Sequence, residues 1–412
     1  MFAGTALGQF SSVLLSPVLT RIYSPEMFGI LGIFTAIVGI LAVISALRFE
    51  LALPLVQSDK DAADLFAVCA VALFSTAFLG VVFIGAVSFA GESAAVFGRM
   101  EPWRWFIPFG FFCLGAYQVM VAFATRQGTF RIIAHTKIYQ GVVGPGSQIG
   151  LGLMGYGAWG LVLGSVMGQS AGVLALFKRL ILTPKALAEV SLQGMLAVAR
   201  RFRWFFLVSS WTGLLEYIGG AYLLLFAVPL LYSNTILTGY IFLTDRIIGR
   251  PLLLISTSIL QVYLGDASKA ISNDPAAMKQ RFLGLAGQQL VIVAAWLLIV
   301  NIAAPYAVPL VFGEQWRGAV PYLHVLSIAY LPQMVIIAIM HTLQILEKQG
   351  LSAVWEIGRL VAVVGALGIS YAMGASALYA ILAYSIVQAV AQVILFMLMY
   401  RSVQSIQKEN AG

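Results

Sequence analysis

Apolar runs separated by short polar or turn-rich gaps repeat along the whole chain. Many are about twenty residues long, the length a helix needs to cross a hydrocarbon core about 30 Å thick. Twelve spans are predicted, with approximate limits Phe2 to Leu19, Phe28 to Val56, Ala62 to Ala90, Trp103 to Ala124, Ile138 to Gly155, Ala158 to Phe177, Phe205 to Leu230, Ile236 to Leu264, Phe282 to Val300, Val320 to Leu343, Leu351 to Tyr371 and Ala375 to Tyr400. The fifth and sixth are the least regular, because Gly141, Gly144, Pro145 and Gly146 break the first of the two and only a short glycine turn separates them. The expected class is therefore an all-α integral membrane protein.

Composition agrees, since 61% hydrophobic and 10% charged residues with a mean hydropathy of +0.94 leave too little polar surface for a water-soluble body of 412 residues. The longest gap, about Lys178 to Arg203, is too short for a separate catalytic domain, and no cleavable signal peptide precedes the first span. Cys69 and Cys113 each lie inside an apolar run without metal-ligand spacing, so they read as small core residues and imply neither a disulfide framework nor a zinc site.

The cations fall on alternate gaps. One side holds sixteen: Lys60, Arg126, Arg131, Lys137, Lys178, Arg179, Lys185, Arg200, Arg201, Arg203, Lys269, Lys279, Arg281, Lys348, Arg401 and Lys408. The other holds only Arg21, Arg99, Arg104 and Arg317. Cytoplasmic loops carry the excess of Lys and Arg, so both termini are expected in the cytoplasm.

A duplication is also legible. Val96-Phe97-Gly98 followed by Trp103-Arg104 recurs as Val311-Phe312-Gly313 followed by Trp316-Arg317, each time opening the fourth span of a six-span half. Arg126-Gln127-Gly128 recurs as Lys348-Gln349-Gly350, and Tyr23-Ser24 with Gly29 has a weaker counterpart in Tyr232-Ser233 with Gly239. The expected organisation is an amino-terminal six-helix lobe over 1–180, a basic cytoplasmic linker over 181–203 and a carboxy-terminal six-helix lobe over 204–412. An even number of spans per copy gives parallel repeats, which in transporters place substrate between them. A central cavity is therefore expected.

Polar residues mark where that cavity is wet. Thr5, Gln9, Ser12, Ser16 and Thr20 form one stripe along the first span, and Ser209, Thr212, Glu216 and Gly220 repeat the stripe at the equivalent position of the second half. Small hydroxyl residues also permit close helix packing, so a purely structural role competes. Arg246 and Arg250 are four residues apart on one face of the eighth span, far enough inside that neither snorkels easily. An arginine there costs about 2.5–3.5 kcal/mol even on insertion scales, so the pair needs water, a partner or an anionic ligand. Asp245 alone leaves a surplus of positive charge that a phosphate would match bidentately, although an internal ion-pair network is the competing account.

Other candidates divide more evenly. Arg48 and Glu50, near the inner end of the second span, read equally as snorkelling side chains. Glu356 and Arg359 are an i, i+3 pair expected to neutralise each other. His324 and His341 lie in the tenth span, where hydrogen-bonded packing is expected over a proton relay.

The run Leu15-Ser16-Pro17-Val18-Leu19-Thr20-Arg21-Ile22-Tyr23-Ser24-Pro25-Glu26-Met27-Phe28-Gly29, followed by Arg48-Phe49-Glu50-Leu51-Ala52-Leu53-Pro54, resembles the amino-terminal signature of the polysaccharide transporter family. That family includes O-antigen-type flippases of the multidrug/oligosaccharidyl-lipid/polysaccharide exporter superfamily. Arg246 to Asp266 and Phe312-Gly313 with Trp316 are similar to its second half, so the resemblance covers nearly the whole chain. One departure is a chain that begins almost directly in its first span, without the short basic leader of many relatives. The resemblance implies a transporter, not an enzyme. It would move a polyprenyl-diphosphate-linked oligosaccharide across a bacterial inner membrane by alternating access, for surface polysaccharide biosynthesis.

On that reading Arg246, Arg250 and Arg48 hold the diphosphate, and Thr5, Gln9, Ser12, Ser16, Ser209 and Thr212, with Gln118 and Gln148, line the cavity against the glycan. Glu216 and Asp245 are the candidates for ion coupling. The glycine-rich lysine motif of nucleotide sites is absent, and no cofactor or metal is expected. Expected partners are the lipid-linked glycan, membrane lipid and the polysaccharide polymerase machinery, without nucleic acid. Three alternatives stay open: a drug or small-cation exporter of the same superfamily, which would favour carboxylates and aromatics over midplane arginines; a membrane polymerase or ligase acting on lipid-linked sugars, which would need a larger outer loop; and a non-transporting scaffold.

Overall fold

The computed structural model describes residues 14–89, 103–179, 190–220, 222–273, 275–346 and 348–409, and among these the secondary structure is helical, with no strand. The helices are α1 (Ser16–Ile22), α2 (Pro25–Val43), α3 (Asp59–Phe89), α4 (Phe106–Arg126), α5 (Phe130–Leu153), α6 (Ala158–Arg179), α7 (Leu192–Arg201), α8 (Ser210–Gly219), α9 (Tyr222–Tyr232), α10 (Thr235–Thr244), α11 (Arg250–Asn273), α12 (Pro275–Ala307), α13 (Val320–Ile337), α14 (Gln349–Ala372) and α15 (Ala377–Glu409). Eight described helical segments are long and apolar enough to cross a membrane, and the bent pair Phe205–Gly219 with Tyr222–Tyr232 makes a ninth. Of the other expected spans, the first is described only from residue 14, the fifth (α5) is diluted by polar side chains, and the eighth is interrupted at Asp245. The protein is an all-α integral membrane protein.

The chain divides into two compact units, Met1–Gly239 and Tyr240–Gly412. This division lies beyond the 181–203 linker expected from charge. The reason is packing: α9 and the first part of α10, up to Gly239, join the first unit through α2, with the Tyr222 ring lying against Gly39.

Within the first unit the weak sequence match around Gly29 and Gly239 becomes a reciprocal contact. A β-carbon on Gly29 would run into the Thr235 carbonyl and stand 3.2 Å from the Gly239 nitrogen. One on Gly239 would run into the Pro25 carbonyl and stand 3.2 Å from the Gly29 nitrogen. The helices that meet here begin alike. The Ser24 hydroxyl accepts from the Met27 amide at 3.4 Å to cap α2, and Asn234 Oδ1 accepts from the Ile236 amide at 3.0 Å to cap α10. Residues that match in the two stretches of sequence thus touch each other. Gly29→Ala and Gly239→Ala are each expected to destabilise the purified protein by about 1–3 kcal/mol through backbone overpacking. Gly284→Ala on α12, where a β-carbon meets nothing within 4 Å, should leave the thermal unfolding curve in place; equal shifts for all three would refute the close contact.

Three expected spans differ in detail. The fifth is not broken: α5 runs through Pro145 as one helix, because glycines spaced by four on α6 let the two backbones touch. A β-carbon on Gly168 would stand 2.8 Å from the Gly144 Cα, and one on Gly164 2.7 Å from the Gln148 nitrogen. The second expected span ends early, at Val43, and continues after a break as a 3-10 helix over Phe49–Leu55. Leu47 (φ 52°) and Arg48 (φ 63°) sit in the left-handed region at that break, a conformation that costs a non-glycine residue about 1–3 kcal/mol. The seventh is a π turn over Phe205–Ser209, then α8, then α9 after a bend at Gly220, where Tyr217 and Tyr222 stack 5.4 Å apart.

The duplicated tryptophans keep equivalent places. Trp103 and Trp316 are both buried in 3-10 turns that lead into α4 and α13. Val96 to Gly98, the rest of the first copy of that motif, lies outside the described residues.

Candidate functional site

Proline sets the local geometry of the eighth span. Pro251 has no amide to give the carbonyl one turn back, and its ring would clash there in a regular helix. The backbone instead widens into a π turn over Asp245–Gly249 between α10 and α11, the kind of bulge that recurs at functional sites. Asp245, Arg246 and Arg250 lie on and beside that turn.

All three side chains belong to the second unit, where Arg250 and Asp245 pair. Arg250 Nε donates to Asp245 Oδ2 at 3.1 Å, and the Tyr330 hydroxyl, from α13, donates to Asp245 Oδ1 at 3.0 Å. Gly249 makes this possible, since a β-carbon there would lie 3.1 Å from the Tyr330 ring. The Arg246 guanidinium lies 5.2 Å from the centre of the Phe242 ring, one turn earlier. The side chain of Arg250 is 41% exposed against 18% for Asp245, so the carboxylate is enclosed while the guanidinium still faces outward. Arg250 pairs with Asp245, and Arg246 lies one turn away on the same widened stretch. Two guanidiniums placed this close together can meet the oxygens of an anion. Asp245, expected as an ion-coupling carboxylate, has both oxygens engaged. Tyr330 was not foreseen, because a phenol among apolar neighbours in sequence carries no sign of which helix it will meet.

Arg48 lies in the first unit. Its guanidinium presses on α8, where a β-carbon on Gly213 would stand 2.7 Å from the Arg48 Cζ. The Nε of Arg48 and one carboxylate oxygen of Glu50 are buried without a hydrogen-bond partner. Around the same element Ser209 is half-buried and Thr212 is exposed, its hydroxyl donating to the Ser209 carbonyl at 3.3 Å. Arg48, Ser209 and Thr212 therefore belong to one neighbourhood, as the matching polar stripe suggested for the last two.

The rest of that stripe stands differently. Ser16 is buried at 1% exposure, and Thr20 turns its hydroxyl to the Pro17 carbonyl at 3.1 Å. Thr5, Gln9 and Ser12 lie outside the described residues, as does the side chain of Glu216. Gln148 is also buried, its amide donating to the Leu161 carbonyl at 2.9 Å and so tying α5 to α6; Gln118 is half-buried on α4.

The secondary candidates follow their packing readings. Glu356 and Arg359 pair, and Arg359 Nη1 also donates to the Gln388 amide oxygen at 3.3 Å while its guanidinium lies over Trp355. His324 shares a hydrogen bond with Asn301 at 2.7 Å and His341 one with Gln344 at 2.5 Å. Cys69 and Cys113 are free and buried.

The sequence matches the polysaccharide biosynthesis protein family over residues 18–321. The chain belongs to this family. No curated protein matches it by sequence. Solved structures share its fold: an inward-facing multidrug resistance MATE family transporter of the MOP superfamily aligns with a TM-score of 0.67 and 15% identity over 99% of this chain and 96% of that one. An outward-facing form of such a transporter aligns at 0.59 and 17% identity over 99% and 94%, and a MATE protein in complex with MaL6 at 0.59 and 16% over 98% and 95%. This member of the polysaccharide biosynthesis family therefore has the fold of MOP-superfamily transporters. Its second unit carries a π turn over Asp245–Gly249 that holds Arg246 and is followed directly by Arg250 and Pro251.

Proposed function

We propose that the protein is a flippase that moves polyprenyl-diphosphate-linked oligosaccharide from the cytoplasmic to the outer leaflet of a bacterial inner membrane, by alternating access, for surface polysaccharide synthesis. The observation that carries the reading is the pair of guanidiniums, Arg246 and Arg250, brought together on and beside a widened helical turn. A diphosphate offers several acceptor oxygens and two or more negative charges, which suits planar guanidiniums. Within the first unit, Arg48 is a further guanidinium for the substrate, and Ser209 and Thr212 near it are hydroxyls for the glycan. Family membership supports a role in polysaccharide synthesis. The concentration of Lys and Arg on one side supports cytoplasmic termini. Energy comes from an ion gradient, from substrate concentration or from consumption of the product; the carboxylates proposed to couple an ion are Glu216 and Asp245, the latter by exchanging its Arg250 and Tyr330 partners.

The structural neighbours named as multidrug transporters favour a second reading, export of drugs or small cations. Its weakness is electrostatic, because the two guanidiniums repel a cationic cargo. The experiment is the sidedness of lipid-linked oligosaccharide in cells depleted of the protein. Accumulation on the cytoplasmic leaflet, reversed on re-expression, is expected. Unchanged sidedness with raised drug sensitivity would replace the flippase by the exporter.

A further inference from the structure

Helix α7 lies outside the membrane-crossing segments and is fastened to the end of α3. The Ser191 hydroxyl caps α7 by accepting from the Gly194 amide at 3.1 Å, and the Ser191 amide donates to Asp64 Oδ1 on α3 at 3.0 Å. Asp64 is buried at 1% exposure, so this bond is shielded from water. At the other end Arg201 reaches Asp61 on α3 at 3.5 Å. Val198 is buried on the side turned to α3.

The opposite face is exposed among the described residues. Leu192 is 73% exposed and Leu196 54% exposed, and Arg200 follows at the next step of four, also exposed. Arg200 makes no ion pair among the described residues. Just beyond the helix Arg203 lies over the ring of Trp204, 5.6 Å from its centre, and Trp204 is itself exposed. The chain then enters its next membrane-crossing pair at Phe205. An apolar stripe with cations along and beyond it, running directly into a membrane span on the side where Lys and Arg concentrate, has the chemistry of an interfacial helix.

We propose that the face of α7 bearing Leu192, Leu196 and Arg200, continued by Arg203 and Trp204, docks on the adjoining leaflet and holds anionic phospholipid headgroups. The leucines enter the boundary between headgroups and acyl chains. Arg200 and Arg203 meet the phosphates, while Arg201 stays with Asp61. The Asp64 clamp keeps α7 on α3, so the lipid-facing side stays turned outward.

The test uses the full-length protein with Leu196→Cys carrying a fluorophore, in nanodiscs of phosphatidylcholine alone or with phosphatidylglycerol. Cys69 and Cys113 are buried and stay unlabelled. Iodide quenching from the aqueous phase is expected to fall several-fold when phosphatidylglycerol is present. In Arg200→Gln/Arg203→Gln that protection is expected to disappear, and phosphatidylglycerol retained on the purified protein to drop about fivefold per arginine; Arg200→Lys/Arg203→Lys should keep both and so report on charge rather than folding. Equal quenching in both bilayers overturns the proposal. Protection that is indifferent to phosphatidylglycerol and to the arginines overturns headgroup recognition, and protection seen only in native membranes, lost in nanodiscs, assigns the face to a protein partner instead.

Discussion

Replacing Arg246 and Arg250 together by glutamine is expected to abolish rescue of lipid-linked oligosaccharide sidedness at wild-type membrane abundance, with each single change weakening it by about tenfold to a hundredfold. The magnitude comes from the hydrogen bonds that a guanidinium makes to a charged acceptor, each worth about 1.5–3 kcal/mol, where 1.4 kcal/mol is a factor of ten. The singles should differ. Arg250 already spends its Nε edge on Asp245 at 3.1 Å, so Arg250→Gln also leaves that carboxylate held by Tyr330 alone and lowers stability. Arg246 makes its ring contact with Phe242 and is expected to affect transport more than melting. Arg317→Gln is the control, since Arg317 pairs with Glu314 at an exposed position, where ion pairs contribute little. The outcome that removes the arginine pair from the substrate site is full rescue by the double variant; loss of rescue with an equally collapsed melting curve would assign the pair to structure.

Arg359→Ala is expected to produce the largest loss of stability, about 3–5 kcal/mol. Arg359 has a 4% exposed side chain, and it is the partner of Glu356 on α14 and of Gln388 on α15. Removing it strands a largely buried carboxylate and frees the Gln388 amide, whose nitrogen already lacks a partner. Glu356→Leu/Arg359→Leu should recover most of the loss, because an apolar pair removes the stranded charge along with its counter-ion. Thermal unfolding of the purified variants gives the comparison, and a double variant no more stable than Arg359→Ala would show that the network matters beyond charge balance.

Class, span positions and the duplication were legible in the linear chain because each depends on local composition. Hydrocarbon selects about twenty apolar residues wherever a helix crosses it, so α2 to α4, α6, α12, α14 and α15 fall where the apolar runs lie. Arg246 and Arg250 stood out for the same reason, as cations in the wrong solvent. Even the weak correspondence of Gly29 with Gly239 carried real information, although nothing in the sequence said that the two would touch.

Distant packing decided the rest. Tyr330 meets Asp245 across 85 positions of chain, and Asp64 meets Ser191 across 127. Neither pairing has a periodicity or spacing to announce it. The continuity of α5 through Pro145 rests on glycines of α6, and the break at Leu47 and Arg48 on the cluster that receives Phe49, Ala52 and Leu53 from the 3-10 segment. Composition determines what must leave water, because transfer into hydrocarbon acts on each residue by itself. Which buried polar group meets which depends on the approach of segments far apart in sequence, and only the tertiary structure sets that.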